Sequence, residues 1–423
     1  MHLPDLPICD VLPPLIAALN VGGVAVLQAP PGAGKTTVVP LAILDAKLCT
    51  GKILMLEPRR LATRAAAERM ADTLGEPVGQ TVGYRMRGES KSSKSTRIEV
   101  VTEGILTAMI QSDPSLDGID AVIFDEFHER SLNGDLGLAL VWEARAALRN
   151  DLLVLVMSAT LDAAPVAAML DCPILTSTGR AYGVETHWLE RPTAKTRRFE
   201  AAISDLVIHA TAATTGGILV FLPGEGEIRR VQAQLNGYLP TGCTVYPLFG
   251  AMDFKAQRAA IAPAKQGRKI VLATAIAETS LTIAGISVVV DAGRARRARF
   301  DAGSGMSRLI TERVTHAEAE QRRGRAGRVE PGQCFRFWTK GEDGAMAAFP
   351  PSEMEAGDLT ALVLELALWG ARGVANMAFL TQPNPGGMAA AKQLLCSLGA
   401  LDLNGAITKH GRRIARLPLH TRL

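Results

Sequence analysis

The sequence is informative first for what it lacks. No apolar run approaches the ~20 residues needed to cross a bilayer, since 136–144 and 362–369 are interrupted or short, and no membrane partner is expected. The first residues, Met1-His2-Leu3-Pro4-Asp5, do not lead from a basic segment into an apolar one, so no secretory signal is visible and a cytoplasmic location is expected. Six cysteines are scattered without a C-x-x-C pair or a nearby histidine, which argues against a zinc site and against a disulfide framework. A net charge of +4 is too small to establish a polyanion partner, although arginines crowd Arg59-Arg60, Arg294 to Arg299 and Arg322 to Arg328. At 423 residues, with 48% hydrophobic and 21% charged side chains, the chain is globular and long enough for two or three domains.

One stretch organises what is there. Ala29-Pro30-Pro31-Gly32-Ala33-Gly34-Lys35-Thr36-Thr37 follows the apolar run Val24-Ala25-Val26-Leu27 and opens a helical pattern. That is the setting of a triphosphate-binding loop, in which glycines let successive backbone N–H groups turn inward and a helix N-terminus adds its positive dipole end. Gly32, Ala33, Gly34 and Thr37 would build the cradle, Lys35 would reach the β- and γ-phosphates, and the Thr36 hydroxyl would take one Mg²⁺ position. The first glycine of G-x-x-x-x-G-K-[ST] is Ala29 here, which restricts that turn to negative φ. On this stretch alone, an ordinary Gly/Pro turn between strand and helix is the alternative.

After the loop, β-branched runs at 53–56, 98–101, 121–124 and 152–157 alternate with helical patterns, which predicts a parallel sheet covered on both faces. Residues 177–196, with Gly179, Gly183 and Pro192, read as an interdomain connection. The rhythm resumes at 218–221, 245–248, 270–273, 288–290 and 334–338, without a second phosphate loop. From Pro350 the pattern becomes helical at 356–369 and 388–398, and 401–407 carries the hairpin signal Asn404-Gly405, which together suggest a winged-helix module.

Phe124-Asp125-Glu126-Phe127-His128 closes a buried strand, where ligand-binding residues of parallel sheets gather. Asp125 would hold Mg²⁺ through water, and Glu126, also near the metal, would orient and deprotonate the attacking water. A solvated acidic turn is the alternative for this pair taken alone.

Asp125-Glu126-Phe127-His128 resembles the signature of the DEAH-box helicases of superfamily 2, in the Asp-Glu-Phe-His form of a bacterial branch of ATP-dependent helicases. Glu57-Pro58-Arg59-Arg60-Leu61-Ala62, Thr102-Glu103-Gly104, Ser158-Ala159-Thr160, 274–282 and 321–328 resemble the family's further motifs, in the family's order over nearly the whole chain. The resemblance implies two tandem RecA-like parallel-sheet domains, at 1–180 (ATP-binding) and 181–347 (helicase C-terminal), followed by a mostly helical winged-helix domain at 348–423 with the start of an accessory region. It also implies ATP and Mg²⁺ as cofactors, a monomer, and single-stranded or duplex nucleic acid, chiefly RNA, as partner.

By the same resemblance Arg325 and Arg328 are arginine fingers, each class of which is worth on the order of 10³ to 10⁵ in rate, and Gln321 helps place the water. They fall in the other domain from Lys35, so domain closure on ATP is expected to drive the cycle. Arg59, Arg60, Thr102, Glu103 and Thr274 would meet nucleic-acid backbone, which positions a strand without reading its sequence. His128, Ser158 and Thr160 would couple hydrolysis to strand separation, and 294–311, turning at 301–305, resembles the family's β-hairpin.

Some positions depart from the family pattern. The base is expected between Arg69 and an aromatic residue, whose place is taken by Ile261. Ala284 replaces the aspartate near the ribose, and Ala275 the asparagine after Thr274. Loose base selectivity, with other nucleoside triphosphates used beside ATP, or weak nucleotide affinity is the expectation. The expected function is an ATP-dependent helicase; a remodelling ATPase that does not unwind and a non-catalytic RNA-binding scaffold are the alternatives.

Overall fold

A computed structural model describes residues 4–159, 163–179, 182–194, 196–278, 283–301, 306–371, 373–375 and 377–417. Thr160 and the stretch 279–282 of the expected motifs, and the turn 302–305, lie outside the described residues. The chain divides into two compact units, the first holding residues up to Gly179, Arg299–Arg308 and everything from Pro351, the second the stretches between.

The apolar runs of the first unit form strands β1 (Val24–Gln28), β2 (Lys52–Glu57), β3 (Val82–Met86), β4 (Glu89–Lys91), β5 (Ile98–Thr102), β6 (Ile119–Phe124), β7 (Leu153–Ser158) and β8 (Ile174–Thr176). They lie in the order β4-β3-β5-β2-β6-β7-β1-β8 and are parallel except for the β3/β4 pair. Helices cover both faces, because the central strands are apolar on both sides and must be buried on both. The short strands β3, β4 and β8 carry too little apolar periodicity to stand out in the sequence.

The second unit carries β9 (Val184–Leu189), β10 (Gly217–Phe221), β11 (Cys243–Leu248), β12 (Arg268–Ala273), β13 (Ile286–Asp291), β16 (Gly332–Thr339) and the greater part of β14 (Arg294–Asp301) and β15 (Met306–Arg313), whose residues within Arg299–Arg308 count with the first. Six of these form a parallel sheet, β11-β12-β10-β13-β16-β9, while β14 and β15 pair as a separate ribbon. The ribbon agrees with the expected hairpin. The stretch 177–196 is not simply a connection: β9 lies within it and pairs with β16 at the sheet edge. Its residues are half-exposed or exposed, so the strand lacks the apolar run of a central one.

The C-terminal segment shares one apolar core with the first sheet, joining Leu106, Leu138 and Val141 to Leu362, Leu366 and Leu395. Hydrogen bonds tie it down: Gln111 Nε2 to the Glu365 carbonyl (2.8 Å), Trp369 Nε1 to Glu143 (2.5 Å) and the Leu132 N–H to Glu353 (2.8 Å). The helix expected at 356–369 is broken into Glu353–Ala356 and Thr360–Trp369. Asp358 accepts from the Thr360 N–H at 2.9 Å, an Asx turn that starts the second piece. At 401–407 a single antiparallel bridge, Leu401 to Ile407, closes the expected hairpin around Gly405, whose φ is 82°. No helix among the described residues is long and apolar enough to cross a membrane.

Candidate functional site

The residues singled out in the first unit collect at the carboxyl edge of its sheet. β1 runs into the phosphate loop, whose Ala29 N–H donates to the Ser158 carbonyl at the end of β7 (3.0 Å). Gly32 and Gly34 have φ of 88° and 99°, a left-handed conformation that side chains resist. Behind the loop, the Ile8 N–H donates to the Ala33 carbonyl (3.0 Å), and a side chain at Gly34 would strike Leu6. The helix Lys35–Asp45 that follows has no side-chain cap at its start, which leaves its first N–H groups for an anion.

Opposite stand the carboxylates. Thr36 Oγ1 donates to Asp125 Oδ2 (2.5 Å), Lys35 Nζ meets Glu126 Oε1 (2.9 Å), and the Glu126 N–H donates to Asp125 Oδ1 (2.8 Å). Glu126 itself has φ of 49°, an unusual conformation for a residue with a side chain and one that concentrates at functional sites. Burial alone would lower the Lys35 pKa, but Glu126, Asp125 and Glu57 outweigh it and hold the ammonium above its ordinary value. Burial, with Glu126 adding to it, pushes Asp125 up, against Lys35 and Thr36.

The sequence motif containing Glu57 was legible, but a place for its carboxyl in this site was not. Glu57 ends β2 beside Asp125, whose N–H donates to the Leu56 carbonyl (3.1 Å). It is 0% exposed, and neither carboxylate oxygen has a hydrogen-bond donor among the described residues. Burial and then Asp125 and Glu126 raise its pKa well above the ordinary value. The signal was an acidic residue closing an apolar strand, Ile53-Leu54-Met55-Leu56-Glu57, the same pattern that marks Asp125.

His128 joins two motifs within this unit. Its Nδ1 accepts from the Ala159 N–H (3.3 Å), which places the ring proton on Nε2, 3.3 Å from Glu126 Oε2. Burial lowers its pKa, so the ring is neutral. Ser158, buried at the end of β7, completes this edge.

The donor set suits a small hard cation. Among the described residues no three His, Cys, Asp or Glu side chains form a complete metal cage. A hydroxyl, one or two carboxylates and phosphate oxygens, with water filling the rest, match Mg²⁺, which keeps much of its water. The orphaned Glu57 carboxyl agrees with a site arranged for positive charge beyond that of Lys35.

The expected nucleic-acid contacts are dispersed along the neighbouring strand ends. Arg59 pairs with Glu129 (3.3 Å), and Arg60 Nη1 donates to the Arg87 carbonyl (2.6 Å). Thr102 ends β5, whereas Glu103 turns to the Ser131 hydroxyl (2.7 Å) at the start of the next helix but one. Arg69 is exposed on the helix Arg60–Leu74.

In the second unit, Gln321 and Arg322 lie on the helix His316–Arg323, with Arg325 and Arg328 just beyond. Arg322 is 1% exposed and binds Asp291 (2.8 Å) and Glu278, which hold its guanidinium charged; Arg325 donates to the Glu278 carbonyl. Thr274, at the end of β12, lies one short 3₁₀ turn before Glu278. The unit therefore joins two expected motifs through Glu278 and Arg322, neither of which carried an expected role. Ile261 and Ala284 are also brought together, since the Ala284 N–H donates to the Ile261 carbonyl (3.3 Å).

A phosphate-loop sequence and paired carboxylates thus lie at one parallel-sheet edge, and a buried arginine motif lies in a second parallel sheet. The chain belongs to the DEAD/DEAH box helicases, and both sheets are RecA-like. Residues 13–169 match the DEAD/DEAH box helicase model, 199–330 the helicase conserved C-terminal domain, and 393–419 the winged-helix helicase associated domain (HA2). The chain is 47% identical to the ATP-dependent RNA helicase HrpB of Escherichia coli, over 99% of this chain and 52% of that protein. It is 34% identical to the pre-mRNA-splicing factor ATP-dependent RNA helicase prp22 of Schizosaccharomyces pombe, over 99% of this chain and 36% of that one. The crystal structure of the Escherichia coli DEAH/RHA helicase HrpB matches with a TM-score of 0.94 at 46% identity, covering 99% of this chain and 53% of that one. The chain thus spans about half the length of HrpB.

Proposed function

We propose that the chain is an ATP-dependent helicase core that hydrolyses nucleoside triphosphate to translocate on and unwind nucleic acid, with RNA as the expected substrate. The observation that carries this is the constellation Lys35, Thr36, Asp125 and Glu126, joined through His128 to the Ser158-Ala159 strand end. The names of the relatives, both RNA helicases, favour RNA.

In this reading, Gly32, Ala33, Gly34 and Thr37 cradle the phosphates, and Lys35 leaves Glu126 to neutralise the β- and γ-oxygens. Thr36 and Asp125 hold Mg²⁺ with Glu126 nearby, and the metal supplies charge neutralisation of the phosphates when bound. Glu126, released from Lys35, orients water and takes its proton, while His128 senses that change through Nε2 and relays it to Ala159. Gln321, Arg325 and Arg328 serve the departing γ-phosphate. Arg59, Arg60, Thr102 and Thr274 track the strand backbone, so affinity falls with salt. Glu103 acts there through Ser131 rather than through phosphate, which would repel it. Domain limits near residues 180 and 347 go with this division of labour.

A strand-displacement assay on an RNA duplex with a single-stranded tail, with and without ATP, tests the reading. Wild type should displace the strand only with ATP, and Glu126→Gln should not. Hydrolysis stimulated by RNA without displacement would move the assignment to a remodelling ATPase, and no hydrolysis would leave a scaffold.

A further inference from the structure

Between β6 and the helix Leu132–Ala147 the chain makes one 3₁₀ turn, Phe127–Glu129. Both residues that flank this turn are left-handed, Glu126 with φ of 49° and Arg130 with φ of 51°. Glycine adopts that conformation freely, whereas a side chain makes it unfavourable. At Glu126 the contacts with Lys35 and His128 account for the side chain. Arg130 is engaged elsewhere.

Its guanidinium takes Asp135 as a fork, Nε to Oδ1 at 3.2 Å and Nη2 to Oδ2 at 3.0 Å, and Nη2 also donates to Thr381 Oγ1 at 3.0 Å. Asp135 is buried one turn into the helix, so the fork fastens the turn to the helix start. Thr381 belongs to the C-terminal segment, between the helices Thr360–Trp369 and Pro385–Ser397. The fork alone satisfies the buried carboxylate, and an ion pair kept for stability would need no third partner.

Further contacts from the same segment converge on the same few residues. The Leu132 N–H, one of the groups a helix leaves unpaired at its start, donates to Glu353 at 2.8 Å. Phe127 is buried in the apolar core that also holds Met354, Met377 and Phe379. Within the turn, the Glu129 N–H donates to the Glu126 carbonyl (2.9 Å) and the Arg130 N–H to the Phe127 carbonyl (3.1 Å). A displacement at Arg130 therefore passes to Glu126 through one hydrogen-bonded turn.

We propose that Arg130 and Thr381 are positioning residues for hydrolysis, through which the C-terminal segment sets where Glu126 stands. The proposal rests on the reading above, in which Glu126 orients the attacking water. Misplacing such a group by ~1 Å is enough to cost on the order of 10²-fold in rate, and losing one restraint among several costs less.

ATP hydrolysis under RNA-saturated conditions by wild type, Thr381→Val, Thr381→Ser, Arg130→Lys and the double variant Arg130→Lys/Thr381→Val tests it, with ADP affinity measured separately by equilibrium binding. Thr381→Val keeps the side-chain shape and the Arg130–Asp135 pair; it should lower kcat about fivefold, with KM for ATP and ADP affinity within about twofold. Thr381→Ser, which keeps the hydroxyl, should hold kcat within about twofold of wild type. Arg130→Lys keeps the charge beside Asp135 without the fork and should lower kcat about tenfold, and the double variant should be no slower, because Thr381 acts only through the fork. An unchanged kcat in Thr381→Val, an equal loss in Thr381→Ser, additive effects in the double variant, or a loss carried by KM and ADP affinity would overturn the proposal. Should Arg130→Lys fail to fold, the two Thr381 variants decide on the same outcomes. A Glu126→Gln variant that hydrolyses ATP as fast as wild type would defeat the functional reading instead, which separates the two failures.

Discussion

The carboxyl ends of the two sheets treat buried charge in opposite ways. In the first unit Glu57, Asp125 and Glu126 gather around a single cation, Lys35, and Glu57 has no donor of its own among the described residues. In the second unit, Arg322 is buried between Glu278 and Asp291, two carboxylates around one guanidinium with its hydrogen bonds made. The first arrangement crowds carboxyls that a proton or a cation can relieve; the second is a strut in which one guanidinium bridges two carboxylates, with only Asp291 Oδ2 lacking a hydrogen-bond partner among the atoms of this triad. In the second sheet Arg325 is tied to that strut through the Glu278 carbonyl.

The largest expected effect removes the proposed arginine finger. Arg325→Ala should lower kcat for hydrolysis by about 10³-fold or more, with nucleotide affinity little changed, because an arginine finger acts chiefly on the transition state. A change confined to a raised KM, measured under RNA-saturated conditions, would place Arg325 with the scaffold instead. Next comes the strut: Arg322→Ala removes the buried guanidinium that bridges Glu278 and Asp291, and should cost about 3–5 kcal/mol of stability in urea unfolding. A loss under about 1 kcal/mol would mean that the triad is not a strut.

Much of this contrast was legible in the sequence, and the limits of legibility have a physical cause. The phosphate loop and Asp125-Glu126 were readable because the chemistry needs those residue types at fixed spacing beside an apolar strand. The central strands were readable because burial on both faces demands continuous apolar runs. The edge strand β9 was not, because its side chains are half-exposed and carry no such run. Glu57 and Arg322 share a different obstacle: what distinguishes them is burial against partners distant in sequence, Asp125 and Asp291. Local pattern contains no trace of those distances. Likewise the break at 357–359 depended on an Asx turn by Asp358 that an otherwise helical composition concealed.

A smaller effect sharpens the first half of the comparison. Glu57→Gln replaces a carboxyl whose pKa burial, Asp125 and Glu126 hold well above the ordinary value with a permanently neutral amide that supplies an N–H donor beside Asp125, so in EDTA it should stabilise the protein by about 1 kcal/mol, a rise of roughly 2–4 °C in Tm. With magnesium and ADP present the gain should shrink, since a bound cation favours the ionised carboxyl that the amide cannot supply. A gain equal under both conditions, read by thermal unfolding, would show that Glu57 is indifferent to the cation.

The smallest effect asks how far the acidic excess extends beyond that edge. Glu103 lies among Glu129, Glu353 and Asp135, and burial first, with those carboxylates adding, pushes its pKa up to about 7 despite the Ser131 hydroxyl. A folded-state pKa above the unfolded value of about 4.5 means that the folded chain holds a proton the unfolded chain has lost between those pH values. This contribution to stability is therefore full below pH ~4.5, declines as pH rises towards ~7, and is gone above it. Glu103→Gln should abolish that slope, so the urea midpoint of the variant, relative to wild type, should rise between pH 5 and pH 7.5. A parallel pair of pH profiles would show that Glu103 is ionised throughout, and would confine the excess of negative charge in the first unit to the phosphate edge.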